Sequence, residues 1–297
     1  MRALVANPTT QSGLELAEAP DPVAGPDEVL IEVKAVSLNF GDVNGIARAK
    51  PGTVPGWDAA GVVVQAAADG SGPAVGARVS SFHHNGAWAE RRAVRTQDVG
   101  VVPDAVDFAV AAAVPVAGVT GVQSLRASGP IEGKRVLITG ASGGVGRYTV
   151  QLAAAQGAHV IAAARRGEGL AELGADEVVS TLDGLDPVDV IIDTVGGPQL
   201  VQAWGLLAPG GVLQSIGWTS LEPATFPPYA TVGQPKSLRA FEAVSPFGPD
   251  IEEVARLAAE GRLTVDLGWR GSWERFEEAV EALRGRRVAG KAVLELG

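Results

Sequence analysis

Two hydrophobic patterns divide the chain. Over residues 1–105 the apolar positions come in short Val-rich runs separated by Gly and Pro, and residues 29–35, 61–64 and 77–80 each read as a strand. That spacing predicts a small twisted β-barrel or sandwich. From about residue 133 strand-length apolar runs alternate with stretches of helical period, which implies parallel βαβ units. Residues 135–139, 158–164, 188–193 and 211–216 are the expected strands, and 145–156 the helix after the first. Near the C-terminus Phe276, Ala279, Val280 and Leu283 fall at i, i+3, i+4 and i+7, an amphipathic helix with Ser272 as its expected N-cap. A closing strand, 292–296, is free to return to the first part. The Pro-rich residues 223–235 are expected to be a mobile surface loop.

One uncharged run needs a decision. Residues 108–125 span 18 positions, near the lower limit for crossing a bilayer. The run is mostly Ala, Val and Gly, and Pro115, Thr120, Gln123 and Ser124 lie inside it, so it predicts a buried pair of helices broken near Pro115. The N-terminus has no apolar stretch long enough for a secretory segment, and a cytoplasmic protein is expected.

Composition narrows the chemistry. A chain of 297 residues, 46% hydrophobic and 20% charged, predicts two folded domains and excludes a disordered one. With 34 acidic against 24 basic residues the formal charge is −10, which disfavours nucleic acid as a partner. The absence of cysteine excludes disulfides, a thiol nucleophile, thiolate zinc sites and iron–sulfur clusters. The three histidines, His83, His84 and His159, are too few for a histidine-rich metal cage.

The strongest motif is Gly140-Ala141-Ser142-Gly143-Gly144-Val145-Gly146, set between an apolar strand and a helix. A dinucleotide pyrophosphate needs backbone amides aimed at it, no side chains in the way and a helix N-terminus behind it. Gly143 and Gly144 allow the close approach, and Gly146 lets the helix pack on its strand. Ala141 stands where the usual motif has its first glycine. About 20 residues further on, an NAD-binding protein presents a carboxylate to the ribose. Here the second strand ends in Arg165 and Arg166, which suit a 2′-phosphate, so NADP(H) is the expected cofactor.

Five stretches then carry a family resemblance: Ser37-Leu38-Asn39-Phe40-Gly41-Asp42, residues 54–62, residues 75–79, the glycine turn, and Asp193-Thr194-Val195-Gly196-Gly197. Nearly the whole chain resembles the medium-chain dehydrogenase/reductase superfamily, in its zinc-independent quinone oxidoreductase branch. The stretch from Asn39 to Asp42 also resembles the enoyl reductase domains of polyketide and fatty acid synthases. The resemblance implies an α/β fold: a GroES-like catalytic domain over 1–112, completed by about 262–297, and a doubly wound Rossmann domain over 113–261. Zinc alcohol dehydrogenases of that superfamily have Cys at the place of Asn39 and His at the place of Trp57. Neither replacement is a normal zinc ligand, so a metal is not expected. Asn44 and Ser180-Thr181-Leu182 stand where relatives commonly carry tyrosines.

By the same resemblance Asn39, Phe40 and Asp42 lie beside the nicotinamide and Thr120 near its ring. Asn39, Asp42 and Thr120 are the expected catalytic residues. Phe40, Ala141, Ser142, Gly143, Gly144, Val145, Arg165, Arg166, Ile216, Gly217 and Lys291 are expected to bind cofactor, with backbone groups of Ile216 and Gly217 meeting the carboxamide. The proton donor is left open among Tyr229, His83, His84 and water. Trp57, Trp88 and Trp218 are candidates for an apolar substrate pocket. The expected activity is NADPH-dependent reduction of a quinone or an α,β-unsaturated carbonyl. The alternatives are a catalytically silent NADPH-binding protein and an NADP-linked alcohol dehydrogenase. Residues 236–241 are the candidate edge strand of a homodimer.

Overall fold

The chain opens with the antiparallel pair β1 (Arg2–Ala6) and β2 (Leu14–Glu18), in which Leu4 faces Leu16. They are followed by β3 (Glu28–Leu38), α1 (Phe40–Gly45), β4 (Asp58–Gln65), β5 (Arg78–Phe82), β6 (Arg91–Arg95) and β7 (Val99–Val101). The apolar run then makes α2 (Phe108–Ala113) and α3 (Pro115–Ala127), broken where Pro115 begins a new helix. No helix is long and apolar enough to cross a membrane.

The second texture gives β8 (Arg135–Thr139), α4 (Gly144–Ala155), β9 (His159–Ala163), β10 (Glu177–Val179), β11 (Val188–Asp193), α5 (Gly197–Leu206), β12 (Leu207–Ser215) and β13 (Ser237–Ala240). These strands form one six-stranded parallel sheet in the order β10-β9-β8-β11-β12-β13. The chain winds outward from β8 on one side and from β11 on the other. The switch point therefore lies where the glycine-rich turn leaves β8, the usual place for a ligand in such sheets. At the far edge β13 is exposed along its length and has one unpaired side.

The chain closes with α6 (Gly248–Ala259), β14 (Leu267–Ser272), α7 (Phe276–Arg284) and β15 (Lys291–Glu295). β15 runs antiparallel to β3 and parallel to β14, completing a sheet ordered β14-β15-β3-β4-β5-β7, with β6 on β3. This is the GroES-like half, with Trp88, Leu4, Ile31 and Leu38 in its core.

The computed structural model describes residues 1–297. It falls into unit 1, residues 1–119 with 244–297, and unit 2, residues 120–243. Residues 244–261, read from the sequence as the end of the Rossmann part, belong to unit 1. The reason is packing: Gly248 and Ile251 of α6 lie against the backbone of Gln97 and Val99 and against Gly100, too close for a Cβ on either glycine. A second difference concerns Ser272. It caps a single 3₁₀ turn, accepting from Glu274 N, and α7 itself starts after Arg275.

Candidate active site

In unit 1, three strand ends converge on Asn39. Ser37 pairs with Asp58 in the register of β3 and β4, and Leu38 pairs with Ala292 in that of β3 and β15. Asn39, the residue after β3, is thereby brought beside Asp58 at the start of β4 and Lys291 at the start of β15. Asn39 also caps α1, and the carboxyl of Asp42, three residues on, reaches back to the Asn39 N–H at 2.6 Å.

The side chains form one network. Asn39 Nδ2 donates to Asp58 Oδ2 at 2.9 Å and, more weakly, to Asp42 Oδ2 at 3.4 Å. Lys291 Nζ donates to Asn39 Oδ1 at 2.5 Å and to Asp58 Oδ2 at 3.2 Å. Asp58 also accepts from the Ser37 hydroxyl and from the Val116 N–H. The ion pair is buried, with Lys291 3% and Asp58 0% exposed. Burial, then the charge of Asp58, pushes the Asp42 carboxyl up to about 7, against the pull of Lys291.

Arg92 is the second buried cation. Its guanidinium donates to the carbonyls of Ser81, His83 and Asn85 and to the Ser81 hydroxyl, so it holds the loop that carries the two histidines. Burial brings its pKa down to about 10, with Asp58 and Asp98 opposing. The exposed His84 ring meets Trp57 edge-on at 5.7 Å and Phe82 at 5.6 Å. Trp57 lies against Gly41, where a Cβ would come within 2.6 Å of the indole. Trp88 is wholly buried, its indole N–H donating to Ser37 O, so it belongs to the core and not to a pocket.

In unit 2 the glycine turn is built as a phosphate cradle. Gly140 has φ 64°, and its carbonyl receives the Gly143 N–H at 2.9 Å, closing the turn. Ala141 N donates to Ala163 O, tying the turn to the tip of β9. Gly143 caps α4 with no side chain in the way, and the Ser142, Gly144 and Val145 that flank it are half-exposed. A Cβ on Gly146 would lie 2.5–2.7 Å from backbone atoms of Gly140 and Ala141. Bare amides and a positive helix end fit a dinucleotide phosphate. Behind them Asp193 accepts from Thr139 Oγ1 and Gly196 N, and Thr194 Oγ1 donates to Thr139 O, which locks the ends of β8 and β11 together. Burial pushes the Asp193 carboxyl up. Arg165 and Arg166 are exposed just beyond β9.

Of the sequence candidates, Asn39 and Asp42 come together, and Lys291 joins them as the counter-ion of Asp58. Phe40 is half-buried under the Arg286 guanidinium, 5.7 Å from its ring centre. Thr120 is buried in α3, takes no part in that network and belongs to unit 2. The N–H groups of Ile216 and Gly217 are committed to Asp193 O, so only their carbonyls are left to meet a ligand. Tyr229 is 83% exposed. Thr181 closes a turn on Asp183, and Leu182 enters the core. Sequence reasoning missed Asp58, Arg92 and the Thr139–Asp193 link. A signal for Asp58 was present, since it opens a strand whose next residues, Ala59, Ala60 and Gly61, must be buried.

Comparison with known proteins agrees with this architecture. A family model described as the alcohol dehydrogenase GroES-like domain matches residues 25–155, and one described as zinc-binding dehydrogenase matches 173–294. A chloroplastic quinone-oxidoreductase homolog of Spinacia oleracea is 31% identical over 93% of the chain and 91% of its own length. An acryloyl-coenzyme A reductase of Sulfurisphaera tokodaii is 27% identical over 99% of the chain and all of its own length. A mycobacterial protein solved in complex with NADPH superposes with a TM-score of 0.90 at 25% identity, covering 99% of this chain and 100% of that one. No group of three His, Cys, Asp or Glu side chains is arranged to hold a metal ion.

Proposed function

We propose that this chain, which belongs to the medium-chain dehydrogenase/reductase superfamily, is a zinc-independent, NADPH-dependent reductase of quinones or α,β-unsaturated carbonyls. One observation carries the reading. Asn39, standing where zinc relatives have a cysteine ligand, is held by the ammonium of Lys291 and the carboxylate of Asp58, so protein charges fill that place. NADPH bound in unit 2 would supply the hydride. Activated alkenes and quinones suit such chemistry because the charge left on the acceptor delocalises into an enolate or phenolate, which polar groups in a dry site stabilise. The similarity to quinone oxidoreductase and acryloyl-coenzyme A reductase relatives supports the same substrate class.

A panel of quinones and enones with NADPH, followed at the nicotinamide absorbance, tests the reading. Binding without oxidation across the panel would favour a silent NADPH-binding protein, and turnover of simple alcohols alone would favour a dehydrogenase. Cofactor choice has its own test. A charge-assisted bond to a 2′-phosphate is worth roughly 1.5–3 kcal/mol, about ten- to a hundredfold in affinity. Replacing Arg165 and Arg166 together by alanine is expected to weaken NADPH by that factor and leave NADH nearly unchanged. An unaltered ratio of the two affinities, measured by titration, would show that the arginines do not touch the phosphate.

Assembly is part of the proposal. The unpaired side of β13 would be covered by a two-fold copy of itself. The expected sedimentation mass is that of a dimer, and a monomer at micromolar concentration contradicts it.

A further inference from the structure

The buried charges of unit 1 do not balance. Asp42, Asp58, Asp98 and, on α6, Asp250 are nearly or wholly buried, and the buried cations of the unit are Lys291 and Arg92. Lys291 pairs with Asp58 directly, and Arg92 lies close enough to Asp58 and Asp98 for both to act on it. Asp98 is satisfied by the Ser245 hydroxyl and the Phe247 N–H. That leaves Asp42 without a cation of its own. A second charge of the same sign in such a place is costly, and a proton removes it.

Geometry places the proton. Asp42 Oδ1 accepts two backbone N–H groups, from Asn39 at 2.6 Å and Val43 at 3.1 Å. Oδ2 has only the long contact from Asn39 Nδ2, 3.4 Å. Asp42 is 5% exposed, while Gly41 beside it is exposed and Asn39 and Phe40 are half-buried. The charged groups on and just after α7, which packs on α1, make contacts of their own. Arg284 donates to the carbonyls of Gln11 and Ser12, Glu277 faces the Ser12 hydroxyl, and Arg286 covers Phe40.

We propose that Asp42, Asp58 and Lys291 form one proton-holding unit around Asn39, and that the proton on Asp42 Oδ2 completes the reduction. The role rests on the reductase reading above. As the hydride leaves its donor's C–H bond and bonds to the β-carbon of an enone or to one carbonyl oxygen of a quinone, negative charge collects on the enolate or phenolate oxygen. The Asp42 O–H bond then breaks and the proton joins the enolate carbon or the phenolate oxygen. Asp42 is left as a carboxylate and takes its next proton from water. Asp58 and Lys291 are positioning residues: the first favours the protonated form of Asp42, the second disfavours it and keeps Asn39 in one orientation.

Carbon-13 NMR of protein labelled at aspartate carboxyls tests the unit without any substrate. The Asp42 carboxyl is expected to titrate near pH 7, and Asp58→Asn to move that titration down by about one unit or more. Titration of Asp42 below about pH 5 in the unaltered protein would overturn the proposal. Activity tests the role. With an accepted enone, kcat/KM is expected to fall above the Asp42 titration, and Asp42→Asn to lower it by about 10²–10⁴-fold with NADPH affinity retained. Full activity in Asp42→Asn would refute the donor role. If no acceptor is turned over, the reductase reading and the donor role fail together, while the NMR titration still decides whether the proton is held.

Discussion

Lys291→Met is expected to lower the unfolding free energy by about 3–5 kcal/mol, the cost of leaving a buried charge without its partner. Methionine keeps most of the volume, so packing is little disturbed and the loss reports the charge. Asp58 would retain the Ser37 hydroxyl, the Asn39 amide and the Val116 N–H, but no cation within ion-pairing distance. Asn39 Oδ1 would lose its donor as well. Adding Asp58→Asn to Lys291→Met should restore part of the loss, because a neutral amide no longer needs a counter-charge. Urea unfolding with an unchanged m-value measures both effects. A loss below about 1 kcal/mol is the value of an exposed pair and would contradict the buried geometry.

The second expected result is a pH-dependent stability gap between the protein and its Asp42→Asn variant. The Asp42 carboxyl is raised from 3.8 to about 7 on folding. Between these values the unfolded chain has released this proton while the folded chain keeps it. Unfolding free energy therefore falls as pH rises, by about 1.4 kcal/mol per unit from this group. The contribution is fully present below pH 4, is lost as pH passes through about 7, and totals on the order of 4 kcal/mol. Asp193 is shifted in the same direction, but it is present in both proteins and cancels in the difference. The advantage of the unaltered protein over Asp42→Asn should shrink steadily across that window and level off above it. Urea midpoints across the range would show this, and a gap that does not change with pH would mean that Asp42 is ionised throughout.

Much of this protein is readable locally. β8 and β11 lie where their apolar runs stand in the sequence, because a central parallel strand is buried on both faces and needs no alternation. The break at Pro115 follows from ring sterics. The cradle is seven consecutive residues whose glycines answer to turn geometry and close packing, and Asn39 with Asp42 is a helix cap spaced three apart. These features depend on neighbours along the chain. Others do not. β7 has three residues and β14 contains two glycines, so neither has a hydrophobic pattern of its own. The amphipathic face of α6 shows that it must cover a sheet, but not which one, and the contact with Gly100 decided it. The same division runs through the site. Asp58 and Lys291 are 233 residues apart, and each alone reads as a charge at the end of a strand. Only the pairing of β3 with both β4 and β15 brings them together. That pairing turns two surface-type residues into a buried ion pair and pushes the Asp42 carboxyl up, because the cost of a charge depends on what surrounds it in space, which no local pattern encodes.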